Sequence, residues 1–269
     1  MRVRIIFGLT NRGSSVPFHH QALLAELVRD LQTSIAPEYA SYSLLSFSGL
    51  KGQTKVGKGG LHFFSSKVTL VFTSPNEEFL NALMVALFEC ETVNVGNLVL
   101  IPEYIEKENL PEFTNEMKYI CISPVVLTGP NTEGPALKDF VSPFDDVFSD
   151  YLYESTMTRM ELSTRFSSEE VSSFFKFQIV PDRKYLEKLQ QNGKKFSRTY
   201  TTHFGQESRE VRGYTLPFTL FADKQVQQFL FECGIGEYAQ NGFGMLDLAN
   251  VNPLGRIEKH EIAGVSFRD

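Results

Sequence analysis

The chain has 269 residues, 42% of them hydrophobic, enough to bury a core in one large domain or in two of about 100–150 residues. Its 26 basic and 32 acidic side chains give a net charge of −6, which excludes a uniformly basic nucleic-acid binder while leaving room for a local basic surface. No apolar run approaches the roughly 18 residues of a membrane span and MRVRIIFGLTNRGSS lacks a signal-peptide core, so a cytoplasmic protein with no membrane partner is expected.

The opening RVRIIFGLT has the β-branched and apolar content of a strand. In PFHHQALLAELVRDLQTSI, Leu23, Leu24, Leu27, Val28 and Leu31 recur at helical spacing behind Pro17, which predicts an amphipathic helix. SYSLLSFSGLKG and LHFFSSKVTLVFTS read as two strands of a hairpin joined by the loop GLKGQTKVGKGG. Ser74 is the expected N-cap of the helix PNEEFLNALMVALFE, with Pro75 at its first position and Glu77 at its third, and TVNVGNLVLIPEYI supplies the next strand. Strand, helix, strand, strand, helix, strand is the order of a ferredoxin-like unit, expected over residues 1–108.

After ENLPEFTNEM the pattern restarts. KYICISPVVLTG reads as a buried strand, SPFDDVFSDYLYESTMTRMEL as a helix, and VSSFFKFQIV, KKFSRTYTTHFG and VRGYTLPFTLFA as strands. A short helix DKQVQQFLFEC with Asp223 at its cap and a closing strand FGMLDLANV complete a second ferredoxin-like unit, expected over residues 118–269. The fold class is therefore α+β, a tandem of βαββαβ domains.

The three cysteines (Cys90, Cys121, Cys233) form no CxxC pair and read as small buried apolar residues, and the five histidines show no ligand spacing, so neither metal nor cofactor is expected. His62, His203 and His260 have no evident partner, and the acidic pair Asp145 and Asp146 reads as favourable charge at a helix start. GIGEYA at 234–239 formally satisfies the dinucleotide fingerprint, yet a helix precedes it and a strand follows, the reverse of what that fingerprint requires. Gly234, Gly236, Gly242 and Gly244 each read as a cap or turn glycine; together they suggest bare backbone whose exposed amides approach a phosphate.

GIGEYAQNGFGML, following a short helix and preceding a strand, resembles the glycine-rich loop of the CRISPR-associated repeat-RNA endoribonucleases, the Cas-six type of the RAMP superfamily. VPFHHQALLAELVRDL resembles that family's first helix, SFSGLKG with HFFSSKVTLVFTS its first hairpin, and ISPVVLT the opening strand of its second half. The resemblance implies tandem ferredoxin-like domains and a metal-independent cut of CRISPR repeat RNA by the ribose 2′-OH, leaving a 2′,3′-cyclic phosphate. The partners it implies are repeat RNA or the processed crRNA, with further effector subunits and a homodimer compatible with it. Such chemistry needs a base, an acid and positive charge at the phosphorane.

The family's usual histidine is missing: Leu44 or Leu45 stands where it is expected. Either another residue moves the proton or the protein holds repeat RNA without cutting it. The replacement candidates are His20 and His19, with Lys51 at the phosphate. Lys55 and Lys58 in the same loop, and Arg183, Lys184, Lys194, Lys195 and Arg198 in RKYLEKLQQNGKKFSR, are candidate RNA contacts. Tyr185, Phe196 and Tyr200 are interleaved with the second set and suited to stacking bases. The glycines Gly234, Gly236, Gly242 and Gly244 complete the expected RNA-binding set.

Overall fold

The computed structural model describes residues 1–129, 140–193, 195–204 and 207–265. The chain divides into two units, one of Met1–Leu110 with Gln240–Gly242 and the segment from Asn252 onward, the other of Pro111–Ala239 with Phe243–Val251.

The first unit runs β1 (Arg2–Leu9), β2 (Ser15–Val16), α1 (Gln21–Ile35), β3 (Ser46–Phe47), β4 (Thr54–Val56), β5 (Leu61–Phe63), β6 (Lys67–Thr73), α2 (Glu77–Glu89), β7 (Val93–Val95) and β8 (Leu98–Glu108). Its main sheet has the order β8-β1-β6-β3, all pairs antiparallel, which is the ferredoxin-like arrangement. Period-two alternation in β1 sends Val3, Ile5, Phe7 and Leu9 into a core shared with Leu24, Val28 and Leu31 of α1 and Phe79, Leu80, Leu83 and Leu87 of α2. Full burial of side chains of this size is worth about 1.5–3 kcal/mol each, so this shared core, with Leu70 and Phe72 of β6 and Leu98 and Leu100 of β8, dominates the unit's stability.

The second unit repeats the order with β9 (Glu116–Cys121), β10 (Val125–Val126), α3 (Phe148–Leu162), α4 (Ser168–Ser173), β11 (Phe177–Pro181), α5 (Arg183–Gln191), β12 (Ser197–Phe204), β13 (Glu207–Tyr214), β14 (Pro217–Ala222), α6 (Lys224–Cys233) and β15 (Leu246–Leu248). Its four-stranded sheet β11-β14-β9-β15 is the same ferredoxin-like order read from the other edge. A separate antiparallel sheet, β10-β13-β12, is added to it. The last strand, β16 (Ile257–Lys259), pairs with β8, so the C-terminal segment belongs to the first unit and not to the second, as sequence order alone suggested.

Several local expectations shift. The N-cap of α2 is Asn76, whose Oδ1 accepts the Phe79 N–H at 2.9 Å, and not Ser74. Ser74 is buried and uses its hydroxyl to accept from Asn76 N at 3.1 Å and donate to Leu44 O at 2.8 Å. Asp145 and Asp146 precede α3, with Asp145 Oδ2 accepting the Ser142 N–H at 2.7 Å in a turn. VSSFFKFQIV splits between the end of α4 and β11, and RKYLEKLQQ forms α5, capped by Asp182 through the Tyr185 N–H at 3.0 Å. All three cysteines are free; Cys121 and Cys233 are buried, which pushes both thiols up to about 12, and Cys90 is half-buried.

Candidate nucleic-acid interface

Helix α6 ends at Gly234, and from there Gly234, Gly236, Gly242 and Gly244 all have positive φ, between 67° and 82°, the region only glycine enters freely. All four are buried. A Cβ at Gly244 would overlap the Ile235 carbonyl oxygen, one at Gly242 the Phe47 ring, and one at Gly236 would lie 2.5 Å from the Val126 carbonyl oxygen. The amides are engaged as well: Ile235 N donates to Gly244 O at 2.8 Å, Gly244 N to Pro124 O at 2.7 Å and Glu237 N to Val126 O at 2.9 Å. This corrects the expectation for these glycines. The bare backbone admits the chain's own main chain at Gly236 and Gly244 and an aromatic ring at Gly242, rather than a phosphate.

Two side chains lock the segment. The Arg159 guanidinium, from the last turn of α3, donates to Cys233 O at 2.6 Å, Gly234 O at 2.8 Å and Gly236 O at 3.1 Å, satisfying carbonyls that the end of α6 would leave orphaned. Glu237 Oε1 accepts from Thr128 N at 2.9 Å and from Thr128 Oγ1 at 2.6 Å. Tyr238, between them, holds φ 62°, a strained value for a side chain of its size.

The locked segment carries Phe243, fully buried, against the underside of the added sheet, where it joins Val126, Val211 and Tyr200 in a hydrophobic cluster. Phe243 and Tyr200 meet edge to face, centroids 5.7 Å apart. Tyr200 in turn lines an open cleft of about 730 Å³ between α5 and the edge strand β12, together with Tyr185, Lys195, Phe196 and Arg198. Lys195, Arg198 and Tyr185 are exposed, as are Arg183, Lys184 and Lys188 on α5. The structure thus brings Lys195 and Arg198 together with the three aromatic rings on one concave surface, while Arg183, Lys184 and Lys188 are exposed on α5 without lining it. Lys194 lies outside the described residues, as does the side chain of His203.

In the first unit, the lysine-bearing loop is not a plain turn. It folds into a small antiparallel sheet, β2-β5-β4, in which Ser15, His62 and Lys55 stand side by side across the three strands. Leu61 packs toward the core and Phe63 is buried, so the alternation turns His62 to the other face. Its Nδ1 lies 2.9 Å from the Gly13 carbonyl oxygen, which fixes the tautomer with the proton on Nδ1 and leaves Nε2 as the basic nitrogen. Lys55 Nζ sits 5.1 Å from the centroid of Phe64, Lys55 and Lys58 are exposed, and Lys51 is half-buried with its backbone bridged to Thr69. Sequence reading passed over His62. The usable signal was the LHF alternation beside two lysine-bearing turns.

His20 is corrected. It is 5% exposed; its Nε2 accepts the Leu50 N–H at 3.1 Å and its Nδ1 lies 3.3 Å from the Pro17 carbonyl oxygen. Burial lowers its pKa below the ordinary 6.5, the Pro17 contact opposing and the neighbouring His19 adding slightly. Both nitrogens serve the fold, tying the start of α1 to the strand region after β3. His19 remains half-buried; of the two leucines in the stretch where a histidine was expected, Leu44 is half-buried and Leu45 is a core residue with no exposure. Among the described residues no cluster of three or more His, Cys, Asp or Glu side chains is arranged to hold a metal. No helix among them is long and apolar enough to cross a membrane.

The family model for the C-terminal part of the CRISPR-associated protein Cas6 matches residues 106–248. The chain is 24% identical over 246 residues to the CRISPR-associated endoribonuclease Cas6 1 of Methanocaldococcus jannaschii, covering 88% of this chain and 89% of that protein. A solved structure of a Cas6-related protein from Pyrococcus furiosus superposes with a TM-score of 0.77 at 18% identity, covering 94% of this chain and 99% of that one. Another, described as a RAMP protein binding different RNA substrates, gives a TM-score of 0.77 at 21% identity over 93% of this chain and 100% of its own.

Proposed function

The chain belongs to the Cas6 family of CRISPR-associated proteins, and on that premise we propose that it binds CRISPR repeat RNA and cuts it. The ribose 2′-OH attacks the adjacent phosphorus; the 5′-oxygen leaves with a proton; the products are a 2′,3′-cyclic phosphate and a free 5′-OH. No metal takes part in this route. The observation that carries the RNA reading is the cleft of Tyr185, Lys195, Phe196, Arg198 and Tyr200, which offers cations for phosphates and rings for unstacked bases on a chain whose net charge is acidic. The protein acts in the cytoplasm, where its transcript is made; docking to effector subunits or to a second copy is a further step of the same reading.

For the chemistry, the small sheet of the first unit is the better-built candidate. His62 presents an imidazole beside Lys55, with Lys51 and Lys58 in the same loop. An oriented imidazole suits proton transfer near neutrality and the lysines suit the charge that develops on the phosphorane. His19, half-buried in the same unit, is the second imidazole in this reading and would take the acid role.

The test is a labelled repeat RNA incubated with the protein in excess EDTA, with the product ends identified. Cleavage to a cyclic phosphate is expected. His62→Ala should lower the single-turnover rate by about 100-fold or more while affinity stays within a few-fold. Lys195→Ala with Arg198→Ala should weaken binding and reduce its dependence on salt by roughly 0.7 per lost phosphate contact on a log–log plot. A second reading, a silent relative that holds repeat RNA uncut, is favoured by the leucines at positions 44 and 45, one of which stands where the histidine was expected; intact RNA recovered from a stable complex would establish it.

A further inference from the structure

Resting on the RNA reading above, we propose a separate subsite for one single-stranded nucleotide at the end of the second unit's four-stranded sheet, where Phe175 and Phe221 hold a nucleobase by its faces. The register places Phe221 of β14 between Gln178 of β11 and Glu116 of β9. Alternation sends Phe218, Leu220 and Ala222 to the core, so Phe221 stands on the opposite, uncovered face. There it lines an open pocket of about 680 Å³ with Asn115, Phe175, Lys176, Gln178 and Asp223. Phe175 is 70% exposed and Phe221 39%; among the described phenylalanines only Phe64, at 42%, is comparably open.

The composition of the rim selects the occupant. An exposed aromatic on the third strand of a ferredoxin-like sheet is where RNA-recognition sheets stack bases. The Asn115 and Gln178 amides each carry a donor and an acceptor for a base edge, and the Asp223 carboxylate accepts from an exocyclic amine. Asp223 has one oxygen committed to the Gln225 N–H at 2.8 Å. One cation, Lys176, lines the pocket together with one carboxylate, Asp223, so the pocket is not a phosphate grip; stacking and edge recognition supply the affinity. That separates it from the strongly basic cleft at α5, and it predicts weak salt dependence for this contact. A bare aliphatic protein side chain would leave the two amides and the carboxylate unpaired, a cost a nucleobase avoids.

The chain contains no tryptophan, so Phe221→Trp and Phe175→Trp each install a sole indole reporter. Titration with short single-stranded RNA should quench either indole saturably, while Leu162→Trp, at an exposed position on α3, stays unquenched. Phe175→Ala with Phe221→Ala, both exposed and read with circular dichroism to verify folding, should bind repeat RNA about 10-fold more weakly than wild type, and the deficit should persist at high salt. Unquenched indoles together with wild-type affinity in the double variant, while wild type binds repeat RNA, would overturn this subsite and leave the RNA reading standing. Failure of wild type to bind RNA at all would overturn both.

Discussion

In the segment 234–244 each glycine is buried at positive φ, and at Gly236, Gly242 and Gly244 main chain or an aromatic ring stands where a Cβ would go, whereas Gly59 in the lysine-bearing turn has nothing within 4 Å of its would-be Cβ. Lys55 and Lys58 beside it are exposed, while the first segment donates its amides to its own backbone. Glycine content is the same signal in both places. What separates them is whether the space a side chain would take is filled by the protein or by solvent, and only the second case can serve a ligand directly. The buried segment contributes at one remove, through Phe243 under Tyr200 and the cleft that Tyr200 lines.

The contrast breaks hardest at Gly244. Gly244→Ala combines a left-handed backbone with overlap of the Ile235 carbonyl oxygen, and should cost about 3–5 kcal/mol in chemical unfolding or prevent folding outright. Arg159→Met keeps much of the volume but leaves three carbonyls without their donor; a loss of about 3 kcal/mol is expected, with RNA binding falling only as folding falls. Wild-type stability with that variant would mean the segment holds its shape unaided.

A milder test uses His20. Burial lowers its pKa from 6.5, so beneath about pH 6.5 the unfolded chain takes up more protons than the folded one. Its contribution is therefore whole above that pH and is lost as the pH falls through the lowered folded-state value. His20→Gln, which can still accept from the Leu50 N–H, should flatten the acid limb in urea unfolding; an unchanged pH profile would reopen a role for His20 in proton transfer. Gly59→Ala closes the series: open space and an ordinary φ predict a change within about 0.5–1 kcal/mol, of stabilising sign, by thermal melting.

Much of the fold could be read from residue spacing because it rests on strong periodicities. Val3, Ile5, Phe7 and Leu9 alternate, and Leu24, Val28 and Leu31 recur by turns, so the first unit's strands and helices were legible. Helix α5 was not, since only Leu186 is buried among its charged residues and nothing in so polar a run separates a helix from a basic loop. The return of β16 to β8 was equally hidden: IEK carries no pairing signal, and its partner lies some 150 residues earlier in the register. For the site, the cations and rings of 183–200 were visible as composition, and folding brought them together. The role of the glycines was misread because positive φ and burial are properties of the folded backbone. His62 was missed because its interest comes from neighbours on two other strands.

The pairing of β16 with β8 has a consequence for how the first unit is closed. Edge strand β8 is covered by β7 at its first residues and by β16 at its last, and Glu108 there sits between Arg2 at 3.1 Å and Arg256 at 2.8 Å. Residue 2 and residue 256 thus meet at one carboxylate: with β16 peeled away, Glu108 would keep one of its two counter-charges inside a buried setting and the last residues of β8 would become an open strand edge.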